Sequence, residues 1–258
     1  MIQKFTVKEN LDSDTVSAIL GQWANDDNKV FHLKNISPQK NIRDFYENIG
    51  NTIGKYELLA EDVTLGDRSN QMANKIWMDV RYDSNIKDAY RHSANPQPLH
   101  TDGSYNPNYP NATLMCCISN TASGGETTFL ELKKLVEALK EEDPKLLEFL
   151  QSENILHERS GHINKKKILY EEKGILKINF NYYCVSKHNS QKHLNLIKKF
   201  FDYTNTSEKL KKFINPVKLD VGEAVFWKDS EILHGRNGFI PQKNSDRFLW
   251  KAAINIGS

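Results

Sequence analysis

Apolar residues along this chain change their spacing several times, and each change marks an element. From Leu11 to Trp23 they recur at helical spacing, with Asp12 or Ser13 placed to cap the first turn. Lys29 to Leu33 is a short strand-like run, and Ser37-Pro38 opens a second helix running to about Ile53 with Phe45 and Ile49 on one face. Ile76 to Tyr82, Ala112 to Ser119 and Glu126 to Glu131 read as strands, the last two separated by a Ser123-Gly124-Gly125 turn. Leu132 to Leu150 reads as two helices broken near Asp143-Pro144, since a helix interior does not tolerate proline. Ile155 to Tyr183 is strand-like in pieces, Leu194 to Tyr203 is helical, and strands return from Val217. The pattern predicts a mixed α and β chain with helices packed outside a central barrel. With no internal repeat and no long linker, residues 1–258 read as one domain: helices and strands over 1–95, a core over 96–256, and a helical insertion at about 132–152.

Composition narrows the class. Hydrophobic residues make up 38%, which is lean, but aromatics at 10% offset this because each buries a large area. A net charge of +2 gives no electrostatic case for nucleic acid or an anionic membrane, and Lys165–Lys167 and Lys211-Lys212 read as solvated faces. The adjacent Cys116 and Cys117 sit in an apolar run and point to opposite faces, as small buried hydrophobes. With Cys184 they give no disulfide framework. No signal-peptide core opens the chain and no apolar run is long enough to span a bilayer, so a reduced, cytoplasmic setting is expected.

The chemistry concentrates in Pro98-Leu-His-Thr-Asp-Gly-Ser104, which reads as a strand running into a turn. In an extended segment residues two apart point the same way, so His100 and Asp102 are placed to grip one ion. A third donor has to come from a distant strand. His234 follows an apolar run far downstream and stands beside glycines that allow close backbone approach. Two imidazoles and one carboxylate, with no thiolate, suit Fe(II) with positions left open for chemistry. Arg247 opens a strand-like segment, Asp246 to Ala253, from which it can reach a carboxylate. The other histidines (His32, His92, His157, His162, His188, His193) read as surface or structural residues, with His188 and His193 solvated.

Three ordered blocks carry a resemblance: H-T-D-G-S-Y at 100–105, A-S-G-G-E-T at 122–127, and L-H-G-R-x-x-F followed by an arginine at 233–247. The chain resembles the taurine dioxygenase and clavaminate synthase superfamily over roughly residues 96–256, with no matching block in the first ninety. The resemblance implies a double-stranded β-helix, a distorted jelly roll, with flanking helices. It implies Fe(II) held by His100, Asp102 and His234, and 2-oxoglutarate as co-substrate with its distal carboxylate on Arg247 and Thr127. Arg236 is either a further support for the co-substrate or a structural ion pair. O2 is the oxidant, and hydroxylation of an unactivated C–H bond with release of succinate and CO2 is the implied reaction. Halogenating relatives replace the carboxylate that Asp102 supplies here, which argues against that outcome, whereas desaturation or cyclisation uses the same ligands.

Arg81, Asn95, Tyr105, Asn181 and Lys251 are the candidate substrate residues, together with Tyr82, Asn179 and Tyr183. Lys251 lies four residues after Arg247, about 13 Å along the strand on the same face. Some relatives carry an arginine there for an anionic substrate group, and lysine departs from that pattern. So many polar groups suit a small polar or zwitterionic substrate such as a free amino acid. A sulfonate or quaternary amine is the alternative within the enzyme class, and a metal-binding jelly roll or a 2-oxoglutarate sensor is the alternative outside it. The polar stretch from Asp83 to Pro98 is expected to act as a lid.

Overall fold

The computed structural model describes residues 2–6, 13–25, 27–34, 41–58, 75–86, 90–120 and 122–257. A large sheet runs in the order β1 (Ile2–Thr6), β2 (Val30–Lys34), β14 (Ala224–Lys228), β6 (Ala112–Asn120), β17 (Arg247–Ile256), β3 (Gly54–Tyr56), with β4 (Met78–Arg81) also paired to β17. A small sheet runs β13 (Asn215–Val217), β8 (Thr127–Glu131), β15 (Ile232–Arg236), β5 (Gln97–His100). β7 (Ser123–Gly124) pairs with β16 (Phe239–Ile240), β9 (Asn154–Arg159) with β10 (His162–Lys167), and β11 (Leu169–Glu172) with β12 (Ile175–Ile178). The helices are α1 (Ser13–Ala24), α2 (Ile42–Ile53), α3 (Leu132–Glu142), α4 (Pro144–Ser152), α5 (Gln191–Thr206) and α6 (Glu208–Lys211).

The period of two along each strand sorts the side chains into layers. In the large sheet Leu114, Cys116, Ala224 and Phe226 pack against Trp23 and Tyr46 of α1 and α2, while Met115, Cys117, Val225 and Trp227 face the small sheet. The two cysteines therefore do lie on opposite faces, buried and unbridged. From the small sheet Phe129 and Ile232 enter the same inner layer, and Leu99, Leu130 and Leu233 pack outward under α3, α4 and α5. The same parity that turns Phe129, Ile232 and Leu249 inward turns Thr127, His234, Arg236, Arg247 and Lys251 inward too. The cavity between the sheets is thus apolar at one end and polar at the other.

Most elements lie where the apolar pattern puts them. The break between α3 and α4 is at Asp143, whose carboxylate accepts the Leu146 amide at 3.2 Å ahead of Pro144. β1 was not legible, because Ile-Gln-Lys-Phe-Thr is short and half polar and takes its strand form by parallel pairing with β2. The expected cap at Asp12 and the Ser37-Pro38 helix start lie outside what is described, and Ser13 is the first residue of α1. Asn179 to Tyr183 is not the strand expected but leads into a 3-10 turn at Tyr182–Cys184. Among the described residues no helix is long and apolar enough to cross a membrane.

The histidines divide as structural groups. His32 pairs with Glu223 at 3.1 Å, and His92 Nδ1 donates to the Arg81 carbonyl at 3.0 Å. His193 is less solvated than expected, half-buried on Phe149 and 3.6 Å from Glu153. His157 in β9 is fully buried, and burial pushes its imidazole down to about 4. The unfolded chain protonates this residue near 6.5, so between the two values it holds more protons than the folded chain and stability falls as pH falls. Urea unfolding at pH 7 and pH 4 should show His157 alone costing about 3 kcal/mol over that window. The pH dependence should flatten by that amount in His157→Phe. An unchanged slope would mean that the ring is not held neutral.

Candidate active site

Strand β5 ends at His100, and the chain is then turned rather than extended. The Thr101 amide donates to the Phe180 carbonyl at 2.7 Å, and its hydroxyl accepts the Phe180 amide at 3.0 Å. Gly103 holds φ +53°, and a Cβ there would lie 2.0 Å from the Tyr109 ring, so glycine is required on both counts. Asp102 therefore reaches the site by a clamped turn and not by the strand alternation that the H-x-D spacing suggested. Its amide donates to Asp229 Oδ2 at 3.0 Å.

His234 is the direct cross-strand partner of His100, with ring centroids 4.2 Å apart. A register shift between β15 and β5 next to this pair also brings Gln97 opposite Arg236. Asp102 Oδ1 lies 3.8 Å from His100 Nε2, and Oδ2 lies 3.6 Å from His234 Nε2. The three donor atoms fall within 4.8 Å of one another. His100 Nδ1 donates to the Pro98 carbonyl at 2.9 Å, which leaves the lone pair on Nε2, and the Gln97 amide nitrogen lies 3.2 Å from that atom. Neither ring nitrogen of His234 has a hydrogen bond, although both are buried.

Burial pushes both imidazoles down, His234 the further because His100 stands beside it. Burial opposes the charge on Asp102, but Lys251 and the two imidazoles overcome it and hold its carboxyl well below the usual range. Lys251 forms an ion pair with Asp102 and is mostly buried. It is neither a solvent-facing strand end nor a cation left free for a substrate anion. Two neutral imidazoles and an ionised carboxylate, closely clustered and lacking hydrogen-bond partners at His234, fit a divalent cation of the Fe(II) type.

Beyond this cluster lie two buried guanidiniums. Arg247 Nε donates to the Gly125 carbonyl at 2.7 Å. Arg236, cross-strand from Thr127, directs Nη2 at the carbonyls of Tyr90, Ser93 and Asn95 at 3.1, 2.8 and 2.6 Å. Its Nε and Nη1 are buried without a partner. Among the described residues neither arginine has a carboxylate in ion-pair range, so the structural ion pair considered for Arg236 is not formed. Burial pushes Arg236 down to about 10, and burial together with Arg236 pushes Arg247 down to about 9. Two uncompensated cations beside a buried threonine form a ready anion site. Gly125 explains part of the glycine pair before Thr127: with φ +75°, its Cβ would lie 2.8 Å from Arg247 Cδ.

Both groups open on one cavity of about 550 Å³. Tyr105, Asn181 and Lys251 line it, as do Thr127, Arg236 and Arg247. Arg81 and Asn95 do not. Arg81 is bound to Asp79, Asp83 and Ser245, and Asn95 is exposed and contributes its carbonyl to Arg236. Tyr82 meets Phe239 edge to face, and Asn179 is buried away from the cavity. Tyr183, also a candidate from the sequence, lines the cavity too, and Glu57, Gln97 and Tyr90 line it without having been singled out. Asp229 was missed because K-D-S-E between two apolar runs reads as an ordinary turn.

A family model, taurine catabolism dioxygenase TauD, TfdA family, matches residues 4–253, and the chain belongs to that family. The match takes in the N-terminal ninety residues in which no motif was visible. Among solved structures, an asparagine oxygenase in complex with Fe(II), 2S,3S-3-hydroxyasparagine and succinate aligns with a TM-score of 0.71 at 11% identity, over 94% of this chain and 79% of the other. The non-heme iron oxygenase OrfP in complex with Fe and alpha-ketoglutaric acid aligns with a TM-score of 0.69 at 12% identity, over 95% and 80%. The PvcB protein from Pseudomonas aeruginosa aligns with a TM-score of 0.66 at 15% identity, over 98% and 86%. No curated protein sequence matches this chain.

The stretch expected to act as a lid is fastened, over Tyr90–Asn95, to the Arg236 guanidinium; residues 87–89 lie outside what is described. Removing three carbonyl contacts to a charged donor should cost a few kcal/mol locally. In Arg236→Gln, amide hydrogen exchange across 90–95 should accelerate by roughly tenfold or more. Exchange at the wild-type rate would show that the segment is held by other contacts.

Proposed function

We propose that this chain is an Fe(II)- and 2-oxoglutarate-dependent oxygenase that hydroxylates an unactivated C–H bond of a small polar or zwitterionic substrate, releasing succinate and CO2. The observation that carries the reading is one cavity holding both the buried His100–Asp102–His234 cluster and two buried guanidiniums with no carboxylate of their own. His100, Asp102 and His234 would hold the iron, which supplies the oxygen-activating chemistry when bound. Arg247, through its bidentate fork, and the Thr127 hydroxyl would hold the distal carboxylate of 2-oxoglutarate, with Arg236 behind them. Lys251 keeps Asp102 ionised and leaves the two imidazoles free to ligate as neutral bases.

The substrate wall is polar, with Glu57, Tyr105, Asn181 and Tyr183 on it, which suits the amine and polar groups of an amino acid. The hydroxyasparagine and hydroxyarginine complexes among the structural neighbours support that class. The two facing sheets are read as the halves of a double-stranded β-helix, and residues 1–258 as one oxygenase domain around it. Three unbridged cysteines and a ferrous site both suit a reducing, cytoplasmic setting.

Succinate formation from 2-oxoglutarate, measured after anaerobic loading with Fe(II) and across a panel of free amino acids, tests the reading. One amino acid should stimulate turnover, and His100→Ala and Arg247→Ala should each lose it by a hundredfold or more. Gly125→Ala should act through Arg247, raising KM for 2-oxoglutarate by roughly tenfold with a smaller effect on kcat. Absence of succinate in the iron-loaded wild type, together with no binding of 2-oxoglutarate, would overturn the assignment.

A further inference from the structure

Asp229 lies against two of the three clustered residues at once, the Asp102 backbone and the His234 ring, and the function proposed above makes no use of it. It lies in the 3-10 turn, residues Asp229–Glu231, that carries the chain from β14 in the large sheet to β15 in the small one. Its amide donates to the Asn111 carbonyl at 3.0 Å, which ties the turn to the start of β6. Its side chain is almost fully buried. Oδ2 accepts the Asp102 amide at 3.0 Å, and Oδ1 accepts the Trp227 indole N–H at 3.1 Å. The remaining neighbour is His234, with Nδ1 3.6 Å from Oδ1 and its ring packed 4.8 Å from Trp227. Both carboxylate oxygens thus receive N–H donors, and the imidazole edge that faces them is Nδ1. An imidazole protonated at Nδ1 keeps its lone pair on Nε2, the nitrogen that faces Asp102.

We propose that Asp229 is the positioning residue of the metal centre. It fixes the backbone that delivers Asp102 and holds His234 in the Nδ1–H tautomer, so that Nε2 is the ligating atom. The proposal rests on the reading of His100, Asp102 and His234 as metal ligands. At 3.6 Å the contact is longer than a hydrogen bond, and a small rotation of the ring as Nε2 engages a cation closes it. Carboxylates in this relation to a ligating histidine set ring orientation and basicity, and losing one weakens metal affinity by roughly 10–100-fold. Asparagine at this position keeps the shape but replaces one acceptor with an N–H donor, setting it against an N–H that is already there.

The test uses the full chain labelled with 15N at histidine, metal-free and then titrated with Co(II) under argon. Two-bond 1H–15N correlation of the wild type should place the His234 proton on Nδ1. In Asp229→Asn the His234 tautomer should become mixed and Co(II) affinity should fall by roughly 10–100-fold, with a changed ligand-field spectrum. A merely structural Asp229 would lower the melting temperature and leave tautomer, spectrum and affinity within twofold of wild type, and that result would overturn the proposal. So would a wild-type His234 proton on Nε2, which can be read without any variant. A wild type that binds no Co(II) would overturn the metal reading itself and the proposal with it, whereas a variant-only null leaves the metal reading standing.

Discussion

The antiparallel pairing of β5 with β15 sets His234 opposite His100, and the rest of the site depends on that register. These strands are far apart in sequence, so the pair exists only once the small sheet has formed. The register is held from the outer face, where Leu99, Leu130 and Leu233 are buried under the α3–α5 helices. A slip of one residue would turn Leu233 toward the cavity and His234 toward the helices, burying a polar ring among leucines. Hydrophobic packing on one face of the sheet thus fixes the His100–His234 pair on the other. Asp102 arrives through a turn clamped by Phe180 and Asp229, and Lys251 arrives from the facing sheet.

The inner end of the cavity concentrates charge that the protein does not neutralise. Arg236 and Arg247 are buried side by side, and the hydrogen bonds they make go to carbonyls rather than carboxylates. Burying cations in this way opposes folding, and their hydrogen bonds offset only part of the cost. The arrangement makes sense where a dianion completes it. The anion then gains a site that is already desolvated and oriented, which is the origin of strong recognition by a preformed fork of donors. The Tyr90–Asn95 backbone hangs from the same guanidinium, which couples the cavity wall to the anion site.

Much of this was legible in the sequence because the signals are local. H-T-D-G brought His100 and Asp102 together as candidates, although the turn at Gly103 and the long-range clamp of Thr101 on Phe180, rather than strand alternation, place Asp102. The glycine before Thr127 is there because Arg247 passes where its Cβ would be. The shared face of Arg247 and Lys251 followed from strand alternation, and Thr127 from the motif that carries it. The misses are tertiary. Arg81 and Asn95 lie next to the motif in sequence but spend their polar groups on loop structure. Asp229 looks like a turn residue until the fold sets it against both Asp102 and His234. β1 is a strand only because β2 lies beside it, and Lys251 reads as a substrate cation until its carboxylate partner is seen.

Crystals grown without oxygen in the presence of Fe(II), with an anomalous difference map recorded at the iron edge, test the central claim most directly. A single peak bounded by Nε2 of His100, Nε2 of His234 and the Asp102 carboxylate is the result expected from the cross-strand pairing. Iron bound elsewhere on the chain, or no peak at this cluster under saturating metal, would contradict it.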